Sequence, residues 1–156
     1  MQYGGWMKMR HLWLVLSGCG FLLVLGALGG CDMTGSGSVG MGGSAVADAE
    51  RVAARFFEAA KAKDYDAAAQ LFIDTASGAG AADQLKLNQM KLGDLQSYEL
   101  RDTTVNTIFS GRRFTLKYVT RYPGFNATET LILFESVSAP GIGIEVYHVS
   151  SAGLRG

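Results

Sequence analysis

Cysteine and histidine are scarce in this chain, and most of them lie near its amino end. Both cysteines, Cys19 and Cys31, precede residue 32, so no disulfide can form within the rest of the chain. Beyond residue 31 the only histidine is His148, which we expect at the surface or rim of a strand. No group of His, Cys, Asp and Glu has metal-ligand spacing. We therefore expect no metal, no cofactor and a domain stabilised by packing alone.

Catalytic motifs are also missing. The chain has no nucleophile elbow, no phosphate-binding loop and no paired carboxylates of the glycosidase type. Gly35, Gly37 and Gly40 satisfy the spacing G-x-G-x-x-G, but a dinucleotide site needs a strand before this motif and a helix directly after it. Here the motif follows a predicted export signal instead of a strand, so we interpret the spacing as coincidental. We expect a protein that is not an enzyme.

No charge of one sign dominates the sequence. Removing Lys8 and Arg10 with the first 30 residues leaves 12 of the 14 basic residues against 14 acidic residues, a formal net charge of −2. Proteins hold nucleic acid mainly by neutralising its phosphates with clustered Lys and Arg. We expect no nucleic-acid partner.

Residues 1–30 have the three-part organisation of an export signal. Lys8 and Arg10 precede 17 uncharged residues, 12–28, which are followed by small residues. A transmembrane helix needs about 20 apolar residues, and this run is shorter and interrupted by glycine. A plain signal peptide or an anchor helix is the alternative, and Met7 or Met9 is an alternative start to Met1.

The segment Leu28-Gly29-Gly30-Cys31 resembles the lipobox of bacterial lipoproteins. The resemblance implies cleavage before Cys31, lipid on its sulfur, and a membrane-anchored protein of the bacterial envelope that faces the periplasm. Asp32 resembles the signal that keeps such proteins in the inner membrane, which favours that membrane over the outer one. Residues 31–44 are rich in Gly and Ser, and we interpret them as a lipidated cysteine followed by a flexible tether.

Residues 45–152 are predicted to form one domain that begins with three helices. Ser44 is a candidate N-cap for a helix over 45–63, whose apolar face has the helical period and consists of Ala49, Val52, Ala53, Phe56 and Ala60. Asp64 is predicted to cap a helix over 65–72. Residues 75–82 are small and include glycine, which predicts a loop. A third helix is expected over 83–92, ended by Gly93.

Beyond Gly93 the apolar period changes from 3.6 to 2, which predicts four strands. The first contains Tyr98 and Leu100, then a bulge near 102–104, then Val105, Thr107 and Phe109 out of phase. Turns at 110–111, 123–124 and 139–141 separate the remaining strands. These are marked by Phe114, Leu116 and Tyr118, then by Thr130, Ile132 and Phe134, and lastly by 142–150. The predicted fold class is α+β, with three N-terminal helices packed on a curved four-stranded antiparallel sheet.

Three segments resemble the small bacterial lipoproteins with a cystatin-like or nuclear transport factor 2-like cone domain. They are "AERVAARFFEAAKAKDYDAAAQLF", "LGDLQSYELRDTTVN" and "TLKYVTRY…ATETLILFE…GIEVYHVSS". The resemblance spans nearly all of 45–151 and implies the fold, while the function of many such proteins is unknown. These proteins often carry Trp in the last strand, where this chain has Gly141-Ile142-Gly143.

Two groups of residues are candidate sites. The resemblance implies a pocket that in some cone domains serves isomerase or hydratase chemistry, and Tyr65, Tyr98, Tyr118 and Asp102 could line it. Packing of the tyrosines in the core of the sheet is the stronger interpretation. Arg113, Lys117 and Arg121 have the parity of the outer sheet face. They could meet anionic lipid headgroups or an acidic partner, or serve only as solubilising charge.

The leading functional hypothesis is a non-catalytic envelope lipoprotein that contacts the membrane through its N-terminal lipid and binds an unknown envelope protein or a small ligand. One alternative is a pocket enzyme of the isomerase or hydratase type. The other is a membrane-surface scaffold that acts through the basic strand.

Overall fold

The computed structural model describes residues 42–155, which form the α+β arrangement expected from the sequence. Three helices come first: α1 (Gly42–Lys61), α2 (Tyr65–Ala69) and α3 (Thr75–Leu92). Four strands follow: β1 (Ser97–Ile108), β2 (Gly111–Arg121), β3 (Asn126–Ser136) and β4 (Ile142–Ser151), with a 3-10 turn at Ala152–Leu154. The strands form one antiparallel sheet in the order β1-β2-β3-β4, and the helices cover one of its faces. The predicted fold class is confirmed.

The core lies between α1 and the covered face of the sheet. All five residues of the predicted apolar face of α1 are buried, together with Ala45 and Phe57. The opposing sheet residues are Phe114, Leu116, Leu131, Leu133 and Ile144, each fully buried. The helix begins at Gly42, so Gly42–Ser44 belong to α1 and Ser44 is not its N-cap. This correction shortens the predicted tether by three residues.

The connection from α1 to α2 follows the predicted capping. The Asp64 side chain accepts a hydrogen bond from the Ala67 backbone N–H at 3.0 Å, which satisfies a donor at the start of α2. The second helix ends at Ala69, not at Phe72. Residues 71–73 instead lie along the free edge of β4, where Ile73 N–H donates to Ile144 O and Ile144 N–H donates to Leu71 O. This contact covers part of an edge strand.

The predicted loop over 75–82 is wrong, because α3 begins at Thr75. Asp74 caps it by accepting from Ser77 N–H at 2.8 Å. The small residues of this stretch allow two helices to approach closely: a Cβ on Gly78 would lie 2.5 Å from the Ala69 carbonyl oxygen. The predicted end is confirmed, since Gly93 adopts φ 89° and its N–H donates to Gln89 O.

The strands differ from the prediction in detail. A bulge interrupts the β1–β2 pairing between Leu100 and Asp102, slightly earlier than expected. The first turn is Phe109–Ser110, and Phe109 projects fully into solvent. In β3 the covered face carries Ala127, Glu129, Leu131 and Leu133, whereas Thr130, Ile132 and Phe134 have the opposite parity. The sequence pattern identified this strand, but the residues that marked it lie on the face opposite the core.

The two ends of the sheet differ in the turns and other elements that they hold. The closed end holds the β2–β3 turn, residues 122–125, together with the 3-10 turn and Gly93. The open end holds the β1–β2 turn, 109–110, and the β3–β4 turn, 137–141, which are joined by a hydrogen bond from Val137 N–H to Ser110 O. Helix α1 runs from the open end to the closed end, since Asp48 lines one cleft with Gly141 and Lys63, just after the helix, pairs with Asp94.

Candidate functional site

A buried carboxylate at the helix–sheet interface is the most unusual chemical feature of the described residues. Glu129 lies on β3 between Ala127 and Leu131, and its side chain is 0% exposed. Ionised groups are rarely buried without strong hydrogen bonds, because removing charge from water is costly. The surroundings of Glu129 therefore determine whether it stabilises the fold or takes part in a reaction.

Three hydroxyl groups donate hydrogen bonds to this carboxylate. Oε1 accepts from Thr120 Oγ1 and from the Tyr122 hydroxyl, each at 2.7 Å. Oε2 accepts from the Tyr147 hydroxyl at 2.7 Å. The strands on either side of β3 supply these donors. Thr120 is on β2, Tyr122 is the first residue after β2, and Tyr147 is on β4. The three donors enclose both oxygens of the carboxylate.

Helix α3 extends the network toward the surface. Asn88 is buried and its amide nitrogen donates to the Tyr147 hydroxyl at 2.9 Å. Gln84, one turn earlier and partly exposed, donates from its amide nitrogen to Asn88 Oδ1 at 2.8 Å. Each donor points toward Glu129, so the chain of hydrogen bonds is polarised toward the carboxylate. Within residues 42–155 no buried side-chain nitrogen or oxygen lacks a hydrogen-bond partner.

Burial governs the electrostatics of this cluster. Loss of solvation raises the pKa of Glu129, and the hydrogen bonds from Thr120, Tyr147 and Tyr122 oppose that rise only in part. Burial and the neighbouring Glu129 carboxylate raise the pKa of Tyr147 well above its ordinary value. The same two causes raise the pKa of Tyr122. Both phenols therefore stay protonated near neutral pH and act as donors.

A small cavity adjoins the network near the closed end. It has a volume of about 10 Å³ and is lined in part by Asn88, Tyr122, Gln89 and Tyr65, whose hydroxyl donates to Gln89 Oε1 at 2.7 Å. A space of this size holds about one water molecule. Glu129 is thus not open to a substrate in this conformation.

The sequence-predicted tyrosines occupy two separate places. Tyr98 and Tyr118 pack on Phe57, with ring centroids 4.7 Å and 4.6 Å away, and the Tyr98 hydroxyl donates to Glu58 Oε1 at 2.9 Å. Burial raises the pKa of Tyr118 to about 12. Tyr65 lies instead at the small cavity. The structure brings Tyr98 and Tyr118 together as core aromatics and leaves Tyr65 apart from them.

Asp102 does not join these tyrosines. It is exposed, and its carboxylate lies 3.6 Å from the Lys117 ammonium group. Sequence reasoning missed Tyr122, Glu129 and Tyr147, which do meet. The sequence places Glu129 on the same face of β3 as Leu131 and Leu133, but Ile132 and Phe134 on the other face are apolar as well, so alternation does not show that Glu129 is buried.

The basic strand has the predicted orientation. Arg113, Lys117 and Arg121 alternate with the buried Phe114, Leu116 and Tyr118, so they lie on the outer face. The Arg113 guanidinium makes two hydrogen bonds to Glu145, at 2.8 Å and 3.0 Å, and this carboxylate raises the pKa of Arg113. Lys117 pairs with Asp102. Two of the three cations therefore have a carboxylate partner, which weakens their attraction for an anionic surface.

Larger clefts lie on the surface at the open end, where α1 approaches the β3–β4 turn. Two adjoining clefts, of about 540 Å³ and 780 Å³, share Arg55, Gly141 and Ile142 in their linings. Arg55 is exposed, and no ion pair or hydrogen bond of its side chain occurs among the described residues. A guanidinium between two clefts could contact an acidic group of a ligand or partner.

Other predicted features lie outside the site or outside the described residues. His148 is exposed on the outer face opposite Thr130. Across 42–155, no three His, Cys, Asp or Glu side chains are close enough to hold a metal ion. None of the helices described in this part of the chain is both long and apolar enough to cross a membrane. Cys31, the predicted export signal and the predicted tether up to residue 41 lie outside the described residues.

Comparison of the chain with models of protein families finds no match, and comparison with curated proteins finds none either.

Proposed function

We propose that this chain is a lipid-anchored lipoprotein of the bacterial envelope, whose α+β domain is a non-catalytic binding or accessory module. The anchor is supported by the sequence Leu28-Gly29-Gly30-Cys31 at the end of an uncharged run that follows Lys8 and Arg10. With lipid on Cys31 the domain faces the periplasm, and Asp32 favours the inner membrane. The lipid attaches the protein to the membrane, and the α+β domain binds the partner.

The observation that carries the non-catalytic part of the proposal is the closure of the domain interior. Sites for small substrates are concavities of about 300–1,000 Å³. The only buried carboxylate among the described residues, Glu129, is enclosed by three hydroxyls and adjoins a cavity of about 10 Å³. Clefts of substrate size lie on the surface instead, two of them around Arg55 and one, of about 390 Å³, between α2 and α3. This arrangement favours recognition of a partner or ligand at the surface over chemistry inside the domain.

Acyl labelling of Cys31 tests the anchor. Cells grow with an alkyne analogue of palmitate, and the purified full chain is examined for label and intact mass. We expect a labelled protein that begins at Cys31. Cys31→Ala should abolish both label and cleavage at this position. Cys19→Ala is the matched control, because it removes the other cysteine from within the export signal and should leave labelling unchanged.

Two results would contradict the anchor. One is an intact mass that retains residues 1–30, which would favour a transmembrane or uncleaved segment. The other is equal membrane recovery of the Cys31→Ala and wild-type proteins without any label on either. A protein cleaved elsewhere and released in soluble form would indicate a plain signal peptide.

A second candidate function is a pocket enzyme of the isomerase or hydratase type, and one observation favours it. Such enzymes combine a carboxylate of raised pKa with a tyrosine donor, and Glu129 with Tyr122 and Tyr147 has this composition. Access to Glu129 would require α3 to move, since Asn88 covers Tyr147. Ligand-observed NMR with a phenol probe tests this candidate. Saturable binding by the wild type that Glu129→Gln abolishes would support an enzyme, and absence of binding would remove it.

A further inference from the structure

The open end of the sheet exposes large apolar side chains in both of its turns. Phe109 is 103% exposed and Val137 is 77% exposed. The two turns are neighbours, because Val137 N–H donates to Ser110 O at 3.0 Å. Val105 and Ile108, near the end of β1, are also exposed. Together these four residues form an apolar tip.

Turn geometry does not account for the residues of this tip. Two-residue hairpin turns favour Asn, Asp and Gly, which tolerate positive φ at low cost. Lys63 is the only described non-glycine residue with positive φ, so Phe109 is not held in such a conformation. A Phe side chain left in water forgoes about 1.5–3 kcal/mol that burial would provide. An apolar contact outside the domain would recover part of this free energy.

The chain enters the domain at the same end. The first half of α1 lies beside the β3–β4 turn, where Asp48 and Arg51 line a cleft with Gly141 and Ile142. Its last residue, Lys61, lies at the closed end, where it lines the small cavity with Gly93. Helix α1 has 20 residues, which corresponds to about 30 Å. The start of α1 at Gly42 therefore lies toward the side of the molecule that carries Phe109 and Val137.

Only residues 32–41 separate Cys31 from α1. A Gly-rich coil of this length has a root-mean-square span of roughly 17–19 Å, and fully extended it reaches at most about 35 Å. A lipid on Cys31 would thus hold the open end within a short distance of the headgroups, with the closed end further away. The position of the tip and the length of the connection both point to the bilayer as the surface that covers it.

We propose that the apolar tip is a membrane-contacting surface, in which Phe109 and Val137 enter the headgroup region of the bilayer that carries the Cys31 lipid. This proposal rests on the proposed lipid anchor. Apolar faces of surface-bound proteins sink about 5–10 Å into this boundary. The cations next to the turn are paired, Arg112 with Glu135 and Arg113 with Glu145. The contact should therefore be mainly apolar and only weakly dependent on salt or on anionic lipid.

Tryptophan fluorescence provides a direct test, because both tryptophans of the chain lie within the first 13 residues and leave with the export signal. Acylated full-length mature protein carrying Phe109→Trp is reconstituted in phosphatidylcholine vesicles. We expect a blue-shifted emission that brominated phosphatidylcholine quenches. Val137→Trp should behave in the same way. The matched control is Phe125→Trp, in the turn at the closed end, whose quenching should be several-fold weaker.

The outcomes separate this proposal from the one on which it rests. Intact mass on the same preparations reports the acyl groups on Cys31. An acylated protein in which the residue 109 and residue 137 probes are quenched no more than the residue 125 probe overturns the tip proposal and leaves the anchor intact. A blue shift that grows with protein density, without quenching by lipid, would assign the tip to contact between copies and also overturn it. Protein without acyl groups overturns both proposals.

Salt and lipid charge distinguish this contact from binding through the basic strand. Quenching of the Phe109→Trp probe that persists at high salt and without phosphatidylglycerol is expected for the apolar tip. Quenching that appears only in phosphatidylglycerol vesicles at low salt would identify an electrostatic contact and contradict the proposal.

Discussion

The two ends of the sheet differ in how far the aromatic residue of their turn is exposed to solvent. At the closed end Phe125 lies over Gly153, where an added Cβ would come 2.9 Å from the Phe125 ring. At the open end Phe109 contacts so little that it is fully exposed. The closed half also holds the hydrogen-bonded cluster around Glu129 and a second apolar cluster of Leu92, Tyr122 and Ala127. The comparison suggests that the closed end stabilises the domain, whereas the turns of the open end are available for binding.

The largest expected effect is loss of the buried carboxylate. Glu129→Leu leaves the hydroxyls of Tyr122 and Tyr147 without their acceptor, and Thr120 keeps only its longer contact to Ala127 O at 3.4 Å. Each unsatisfied buried polar group costs about 1–3 kcal/mol, so the two tyrosines together predict a destabilisation of about 2–6 kcal/mol. Urea unfolding of the mature protein measures this change.

Glu135→Leu is the matched control for this prediction. The same substitution is then made on the same strand, nearer the open end, where Glu135 is partly exposed and pairs with Arg112 at 2.7 Å. Pairs of this exposure contribute about 1 kcal/mol or less. Equal losses for the two variants would show that the ends do not differ in the way proposed.

The next effect concerns the helices near the open end. A Cβ on Gly78 would meet the backbone of Ala69, whereas nothing lies within 4 Å of a Cβ on Gly80 in the same helix. Alanine favours a helix over glycine by about 0.5–1 kcal/mol. We therefore expect Gly80→Ala to raise the free energy of unfolding by about that amount, and Gly78→Ala to lower it by about 1–3 kcal/mol through overpacking.

Together, Gly78→Ala and Gly80→Ala test whether the helices near the open end are tightly packed. If Gly78→Ala is destabilising, tight helix packing extends to the first half of α3, and loose packing at the open end is confined to its turns. If both variants stabilise the protein equally, α2 and α3 can separate at little cost, and the open end is loose in its helices as well.

A third prediction concerns pH and follows from the raised pKa of Glu129. When a folded-state pKa lies above its unfolded value, the folded state binds more protons over the interval between them. The contribution of Glu129 is therefore most favourable below the ordinary carboxyl pKa and is lost as pH rises through the raised folded pKa. Stability measured by urea unfolding should decline over this interval in the wild type.

Glu129→Gln isolates this dependence, because it keeps the size of the side chain and removes the titrating group. The difference in unfolding free energy between this variant and the wild type should shift in favour of the variant as pH rises. The hydrogen bond from Ser77 lowers the pKa of Asp74, whose contribution is lost as pH falls, but it is common to both proteins. A constant difference across pH would contradict the buried, titrating state assigned to Glu129.

Much of this fold could be predicted because its local signals are physically unambiguous. The face of α1 repeats every three to four residues, Asp64 has the side chain of a helix cap, and Gly93 adopts a positive φ that glycine favours. The start of α3 was missed because small residues favour both loops and close helix contacts. Gly78 serves the second purpose, which depends on Ala69 in another helix. Sequence alone does not reveal that neighbour.

The candidate site was missed for a related reason. Both faces of β3 carry apolar residues, Leu131 and Leu133 on one and Ile132 and Phe134 on the other, so alternation alone does not identify the covered face. The strand was marked by Thr130, Ile132 and Phe134, which lie on the face opposite Glu129, so this carboxylate was not singled out. Likewise, the role of Tyr147 depends on the pairing of β4 with β3, which places Tyr147 opposite Leu131 and beside the Glu129 carboxylate. The contacts that create the cluster are long-range and have no local sequence signature.

The smallest expected effect is removal of the apolar side chains at the tip. Phe109→Ser and Val137→Ser change fully or largely exposed residues, so each should alter the free energy of unfolding by less than about 0.5 kcal/mol. Phe125→Ser, in the corresponding turn of the closed end, removes a ring that is 41% exposed, against 103% for Phe109, and should cost about 1 kcal/mol or more. Urea unfolding of the three variants compares the ends directly. A loss for Phe109→Ser as large as that for Phe125→Ser would mean that Phe109 packs within the domain in solution, and it would then be unavailable to a membrane.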